Sequence, residues 1–451
     1  MKVNNINKTL KADLCTGCGI CEGACPTGAI STIVEKGNFR PTVNKEKCTN
    51  CGRCVKACPG LGVDLVRLAD KYQSENTNHD KMVGRYEKCF TGYSNDFEVR
   101  FHSASGGMVS QFLIWLLENK KIDGAVVTRF DQDSPLLVKT FIATTREDII
   151  SARSSKYAPV TLNRVAQDIK AASGSRYVIV GLPCHIQGLR KLMEIDKKLR
   201  DKVVGLFGIY CSCGRSFYMT EHVFKERGIS KDKITYFQYR DEGCLGKMVV
   251  KVPEGDASTI RVVNNNSESV LSNEERSYKE HYQSYYHPLR SFFIPRRCLF
   301  CIDHYAELSD ISFGDIHIKP YSDDKIGVNS IIVKNRTWLR LLEECQKAGA
   351  IYLDVVPFKT ISDSQKMSFK KKGRNGAFVN IGKKLGWVVP QYDVDYLRQP
   401  TMHDWLDYVQ NRGQQFLGRH KALWPLIIKL KSKVNICLLY TSPSPRDGAT
   451  S

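Results

Sequence analysis

The chain has 451 residues, 42% of them hydrophobic, 25% charged and 10% aromatic. That is roughly two to three domains' worth at about 150 residues each, with apolar content enough to bury real cores. No run of eighteen apolar residues occurs, so disorder throughout, a collagen-like chain and a membrane-spanning helix are excluded. Lys and Arg total 67 against 47 Asp and Glu, a net charge of +20. Such an excess attracts acidic proteins, anionic cofactors, membrane surfaces or nucleic acid, and does not choose among them. The opening MKVNNINKTLKADLC carries no apolar signal core, so a cytoplasmic address is expected.

Seventeen cysteines in a long chain without a leader point to metal ligation or thiol chemistry rather than disulfides. Eight fall between Cys15 and Cys58, in an internal repeat: CTGCGICEGACP from Cys15 returns 33 residues later as CTNCGRCVKACP from Cys48. Each is CxxCxxCxxxCP, which offers three thiolates on a tight loop and sends the fourth to the other cluster, the arrangement of bacterial two-cluster ferredoxins. Cys15, Cys18, Cys21 and Cys58 are expected to hold one 4Fe-4S cluster, and Cys48, Cys51, Cys54 and Cys25 a second. Between the repeats, ISTIVEKGNFRPTV predicts a short hairpin turning at Gly37-Asn38. A two-cluster ferredoxin unit is therefore expected over 1–68. The polar run from Lys71 to Lys81 predicts a linker, taken as 69–95.

Beyond Phe97 the pattern becomes α/β. Gly107 to Asn119 predicts a buried helix and Gly124 to Phe130 a strand. YVIVGLP and VVGLFGIY are continuous apolar runs of the kind a parallel sheet buries on both faces. They end at Cys184 and Cys211, beyond strand carboxyl ends, where open α/β sheets place ligands. KITYFQYR and KMVVKV open a more β-rich stretch. Cys184, Cys211 or Cys213, Cys298 and Cys301 could close a third metal site, an iron-sulfur cluster or zinc, or be ordinary core residues. Cys89, Cys244, Cys345 and Cys437 have no such partners. HSASGG, with Ser103, Ser105, Gly106 and Gly107, precedes a helix whose N-H groups suit phosphate, and helix capping is the competing reading. The loop with Ser155, Lys156 and Tyr157 is cationic and hydroxyl-rich, suited to a pyrophosphate or a flavin ring, and a solvated loop is the competing reading.

Residues 359–433 hold 15 Lys or Arg against 5 Asp, a net +10. A basic helical segment is expected over 359–437, with Trp405, Leu406, Val409, Phe416, Leu417, Leu423, Trp424, Ile427 and Ile428 packed on the core and the basic side solvated. Peripheral membrane contact is the alternative. The dense basic run SFKKKGRNG is the one stretch that would suit nucleic acid, a reading ranked last. Residues 438–451, LLYTSPSPRDGATS, read as a translated sequencing-adaptor artefact.

In order, SASGG, SSKYAP, GLPCHIQGLRK, YCSCGRSF, FQYRDEG, and CLFC with ELSDISFGD resemble the coenzyme F420 hydrogenase/dehydrogenase beta subunit family over about Glu98 to Asn335. The resemblance implies an α/β flavin-binding region with a mixed sheet behind the ferredoxin fold, divided at 96–175 and 176–358. It implies FAD, with contacts from Ser103, Ser105, Gly106, Gly107, Ser155, Lys156 and Tyr157, and a third 4Fe-4S cluster on Cys184, Cys211, Cys298 and Cys301. Cys213, two residues on, leaves one corner ambiguous, and Ile316-His317 replaces an aromatic pair of many relatives. His185, Arg240, Asp315 and His317 sit beside the motifs as acid-base candidates, with a structural role as the competing fate; no catalytic residue is assigned. The function implied is an oxidoreductase passing electrons from a low-potential, ferredoxin-like donor through the clusters to a flavin and an organic acceptor. Many bacterial members lie among surface-polysaccharide genes. An electron-transfer subunit feeding a partner enzyme is the alternative.

Overall fold

The computed structural model describes residues 4–74, 78–131, 134, 136–253, 260–262, 267–272, 275–289 and 291–429. Cys437 and the tail from Leu438 lie outside the described residues. The cysteine repeat folds the same way twice. Gly19 and Gly52, each following the second cysteine of its repeat, take left-handed φ values of +76° and +77° and start the short helices Ile20–Gly23 and Arg53–Ala57. Between them β1 (Ile30–Glu35) pairs antiparallel with β2 (Asn38–Val43). Lys36 and Gly37 both have positive φ in the two-residue turn, the geometry that suits hairpin twist.

The chain continues through β3 (Gly62–Val63), the helix Leu65–Tyr72, and β4 (Asn78–Asp80) paired with β5 (Gly84–Tyr86). Then come β6 (Lys88–Ser94), β7 (Gly124–Phe130), β8 (Val138–Ala143), β9 (Tyr177–Gly181) and β10 (Val203–Ile209). A four-stranded antiparallel sheet follows from β11 (Tyr236–Asp241), β12 (Lys247–Pro253), β13 (Ser267–Ser272) and β14 (Glu275–His281). Finally β15 (Ile311–Asp315), β16 (Asn329–Val333) and β17 (Ile351–Val355) return to the main sheet, and β18 (Gln391–Tyr392) pairs in parallel with β3.

The main sheet has eight strands in the order β17-β6-β16-β15-β10-β9-β7-β8. Its middle, β15, β10, β9 and β7, is parallel, and both edges are antiparallel. The apolar runs of β9 and β10 serve two cores, as burial on both faces requires. Val178 and Phe207 face the helices Met108–Glu118 and Arg336–Lys347, where Phe207 lies 5.7 Å from Phe112 and 4.9 Å from Trp338. Ile179 and Leu206 face the helix Pro183–Ile195, and the ferredoxin unit joins this second core through Cys18, Ile20 and Ala57.

Four expectations change. The stretch 69–95 is not a linker: the helix Leu65–Tyr72 runs into it, buried Gln73 donates to the Glu307 carbonyl at 2.5 Å, and β6 sits between β16 and β17. The division at 175/176 does not separate two bodies, because β7 and β8 precede it and β9, β10, β15, β16 and β17 follow it within one sheet. The run SFKKKGRNG does not form an exposed basic patch; Ser368, Lys371, Lys372 and Asn375 are buried. The basic segment is helical, but the helix Met402–Arg419 packs through Tyr408, Asn411, Gln415 and Gly418. It turns Met402, Leu406, Val409 and Phe416 to solvent, while Trp424 and Ile427 are buried as expected. Gly418 makes this packing possible, since a Cβ there would fall 1.9 Å from the Phe292 carbonyl oxygen.

Candidate functional site

The fold crosses the cysteine repeats. Burial first, then the neighbouring thiols of Cys18 and Cys58, push Cys15 up to about 12; burial and Cys58 push Cys18 up to about 11. Cys21 is raised well above an ordinary thiol by burial, Cys18, Cys58 and Cys15. These are the four residues expected at the first cluster. Cys25, Cys48, Cys51 and Cys54 line one small recess together with Asn4 and Asn5. Donors already point at sulfur: Gly17 N-H at 3.4 Å from Cys15, Ala29 N-H at 3.3 Å from Cys25, Gly60 N-H at 3.3 Å from Cys58 and Asn5 Nδ2 at 3.5 Å from Cys48. Such N-H groups stabilise the negative charge of ligating thiolates. Among the described residues no three Cys, His, Asp or Glu groups converge on a single ion. The donor set fits cubanes, which take each thiolate on a different iron, better than a mononuclear site.

A third group of cysteines lies on the next layer. Cys184 is the second residue of the helix Pro183–Ile195, Cys211 follows β10, Cys298 lies within the 3-10 turn Arg296–Phe300, and Cys301 follows it. Burial and then Cys18, Cys211, Cys298 and Cys301 raise the Cys184 thiol, so the group adjoins the ferredoxin unit on one side. Burial raises Cys211 to about 12 and Cys298 to about 11. Cys213 differs. Burial would raise it, but Arg215, whose Nη1 donates to its sulfur at 2.8 Å, brings its pKa below the ordinary thiol value. Gly214 N-H donates to Cys298 at 3.3 Å.

At the carboxyl ends of β9, β10 and β15, beside Val127 and Thr128 of β7, opens a cavity of about 500 Å³, bordered by Cys211 and Cys213. Of the residues expected at a flavin, Ser103, Ser105, Gly107, Ser155, Lys156 and Tyr157 line this cavity, and Gly106 does not. Gly106 is a packing residue: a Cβ would lie 2.8 Å from the Gly92 carbonyl oxygen and 2.9 Å from Asn329 N. Ser103 and Ser105 do not cap the following helix; their hydroxyls donate to the carbonyls of Val99 at 2.6 Å and Val328 at 2.8 Å. The N-cap is Gly107 at φ +72°, and Asn329 Oδ1 accepts from Met108 N-H at 3.2 Å. Gly107, Met108, Val109 and Ser110 therefore bring the helix start to the cavity wall, where N-H groups favour an anion.

Lys156 is not aimed at a ligand. Its Nζ donates to the carbonyls of Ala152 at 2.9 Å and Ser154 at 3.1 Å, and also to that of Arg153, while burial pulls its pKa down to about 7. Tyr157 does face the cavity, 4.4 Å from Tyr286 and 5.5 Å from Tyr282 between ring centroids. Arg240 donates to Asp315 at 2.6 Å and to the Leu245 carbonyl at 2.6 Å. Burial works against the Asp315 carboxylate, but Arg240 and His317 hold its pKa below the usual value. His185 is buried with its pKa lowered to about 4; Leu182 N-H donates to Nδ1 at 3.3 Å, leaving Nε2-H to donate to the Val160 carbonyl at 3.2 Å. That is a structural histidine. His317 is the exposed one, 3.8 Å from Asp315.

Sequence reasoning passed over Arg215, Tyr282, Tyr286 and Asn329 in this wall, and Lys371 and Asn375 behind the third cysteine group. Arg215 was in sight beside YCSCG. Tyr282 and Tyr286 carried the helical i, i+4 spacing in HYQSYYHP, but nothing local ties them to Tyr157.

Residues 89–167 match the family profile "Coenzyme F420 hydrogenase/dehydrogenase, beta subunit N-term", and 174–357 match its C terminus. Residues 14–60 match a 4Fe-4S dicluster domain. The coenzyme F420 hydrogenase subunit beta of Methanococcus voltae is 25% identical over 319 residues, covering 68% of this chain and 99% of the relative. The coenzyme F420-dependent sulfite reductase of Methanocaldococcus jannaschii is 27% identical over 323 residues, 68% of this chain and 43% of the relative. A chain of the F420-reducing NiFe hydrogenase complex from Methanosarcina barkeri shares the fold, with a TM-score of 0.51 at 18% identity over 68% of this chain and 96% of that one. With both beta-subunit profiles in one eight-stranded sheet and an iron-sulfur dicluster domain packed beneath it, the chain belongs to the coenzyme F420 hydrogenase/dehydrogenase beta subunit family of redox proteins.

Proposed function

We propose that this chain is a flavin-dependent iron-sulfur oxidoreductase that carries electrons from a low-potential donor protein to an organic acceptor. The observation that carries the reading is the order of groups: two ferredoxin cysteine sets, then Cys184, Cys211, Cys298 and Cys301 beside Cys18, then a cavity bordered by Cys211. Cys15, Cys18, Cys21 and Cys58 hold one 4Fe-4S cluster, Cys48, Cys51, Cys54 and Cys25 the second, and Cys184, Cys211, Cys298 and Cys301 the third. FAD is assigned to the cavity, with Tyr157 and Tyr286 offered to a ring and the helix start at Gly107 to phosphate. Bound flavin supplies the exchange between single electrons and a hydride. The chain's own part is to exclude water, to keep Asp315 ionised through Arg240, and to keep His185 neutral by burial.

Anaerobic purification with iron, sulfide and flavin counts tests the reading. About 12 iron, 12 sulfide and one FAD per chain are expected from the ligand count. About eight of each with no flavin would overturn it. A second reading, an electron-transfer subunit serving a partner enzyme, draws support from the relatives named as hydrogenase subunits and from the exposed stripe Met402, Leu406, Val409 and Phe416. Steady turnover of a small acceptor by the isolated chain separates the two. The site is assigned to the cytoplasm in both.

A further inference from the structure

Lys371 is 2% exposed, yet among the described residues its Nζ makes no hydrogen bond to a carboxylate. It donates to the Asp303 carbonyl at 2.7 Å and lies 3.4 Å from Cys301 Sγ. Four residues on, Asn375 Nδ2 donates to the carbonyls of Cys298 at 3.2 Å and Cys301 at 2.9 Å. Both residues belong to the π-helical turn Lys371–Asn375, set between the helices Met367–Lys370 and Gly376–Lys384. Such widened turns recur at functional sites. Lys372, the neighbouring buried lysine, is neutralised by Glu307 and donates to Tyr396 Oη at 2.6 Å. The turn lies beyond 174–357, the part that matches the family's C-terminal domain.

A buried ammonium is costly unless negative charge faces it. Asp303 supplies part of that charge from beyond hydrogen-bond distance; neutral thiols add none, whereas a cluster held by four thiolates does. We propose that Lys371 is a positioning residue that raises the reduction potential of the third centre, so that the C-terminal segment tunes the family's site from outside the family's domains. The inference rests on the third cluster of the proposed function. One-electron reduction adds a negative charge to the cluster, and a fixed cation donating to a ligand sulfur stabilises the reduced form over the oxidised one. Its charge also favours electron arrival from the neighbouring ferredoxin clusters, since it makes the third centre the better acceptor.

The test is an anaerobic redox titration followed by electron paramagnetic resonance on the whole holoprotein, comparing the parent with Lys371→Met, Lys371→Gln and Lys371→Arg, with iron counted on each sample. The expected result is that one of three midpoints falls in the Met and Gln variants by at least a tenfold change in the reduction equilibrium, about 59 mV for one electron. The other two midpoints stay, and Arg restores the first to within threefold. Full iron with all midpoints unchanged overturns the proposal. If Met and Gln both lose four irons while Arg keeps them, Lys371 serves assembly and the tuning role is overturned. A parent with eight irons instead refutes the third cluster itself, a different failure read from the iron count alone.

Discussion

Arg297 Nε donates to the carbonyl oxygen of Gly60 at 2.8 Å, and its Nη2 to that of Pro59 at 3.0 Å. One buried guanidinium, adjacent to Cys298, thus holds the loop that follows Cys58. The side chain next to Cys298 is bonded directly to the backbone that follows Cys58. Lys191 adds a second tie, donating to the Cys58 carbonyl at 2.6 Å and the Gly62 carbonyl at 2.8 Å. Rigid spacing of this kind suits electron passage between fixed centres.

Replacing Arg297 with Met keeps the stem and removes both hydrogen bonds, leaving two buried carbonyls without those partners. Stability should fall by about 3 kcal/mol, since bonds from a charged donor are worth more than neutral ones. Denaturant unfolding under anaerobic conditions measures it. An unchanged midpoint would mean that the Arg297 bonds do not help hold the ferredoxin unit in place.

Cys211 and Cys213 compete for one corner of the third centre. The Cys184 thiol feels Cys211, while Cys213 acts on Cys298 and Cys211 but has its sulfur engaged by Arg215. Cys211→Ser should therefore drop the count from about 12 irons to about 8, and Cys213→Ser should leave it near 12. The reverse pattern would move the ligand to Cys213.

Gly106 is packed between β6 and β16 rather than against the cavity. Gly106→Val should cost about 1–3 kcal/mol through overpacking against Gly92 and Asn329. Flavin per folded protein should not change. A selective loss of flavin with unaltered thermal stability would restore Gly106 to the cofactor site.

The three carbonyl partners of Lys156 make it a tie for the loop 152–157 rather than a counter-ion. Lys156→Met and Lys156→Glu should then reduce flavin occupancy alike, by about tenfold or about 1.4 kcal/mol of affinity, with iron retained. Flavin and iron measured on the same samples decide. If the Glu variant loses far more flavin than the Met variant, charge at the ligand is the cause.

Much of this was written in local spacing. Two CxxCxxCxxxCP repeats dictate the crossed ferredoxin cysteines, because a tight glycine turn after the second cysteine leaves each loop only one way to present its thiols. The hairpin β1-β2, the strands β7, β9 and β10 and the helix Met108–Glu118 are legible for the same reason: hydrophobic period and turn chemistry are local properties. Tertiary structure alone decided the rest. A strand such as β6 looks polar and isolated until its neighbours β16 and β17, more than 200 residues away, complete it. Lys371 reads as part of a solvated charge run, and only the return of the C-terminal segment over Cys298 and Cys301 buries it against sulfur. Leu406, Val409 and Phe416 read as core, yet Gly418 and Gln415 allow the closer packing and claim the buried face. Charge and apolarity are properties of single residues, whereas whether they face water depends on which distant segment arrives first at the surface they would cover.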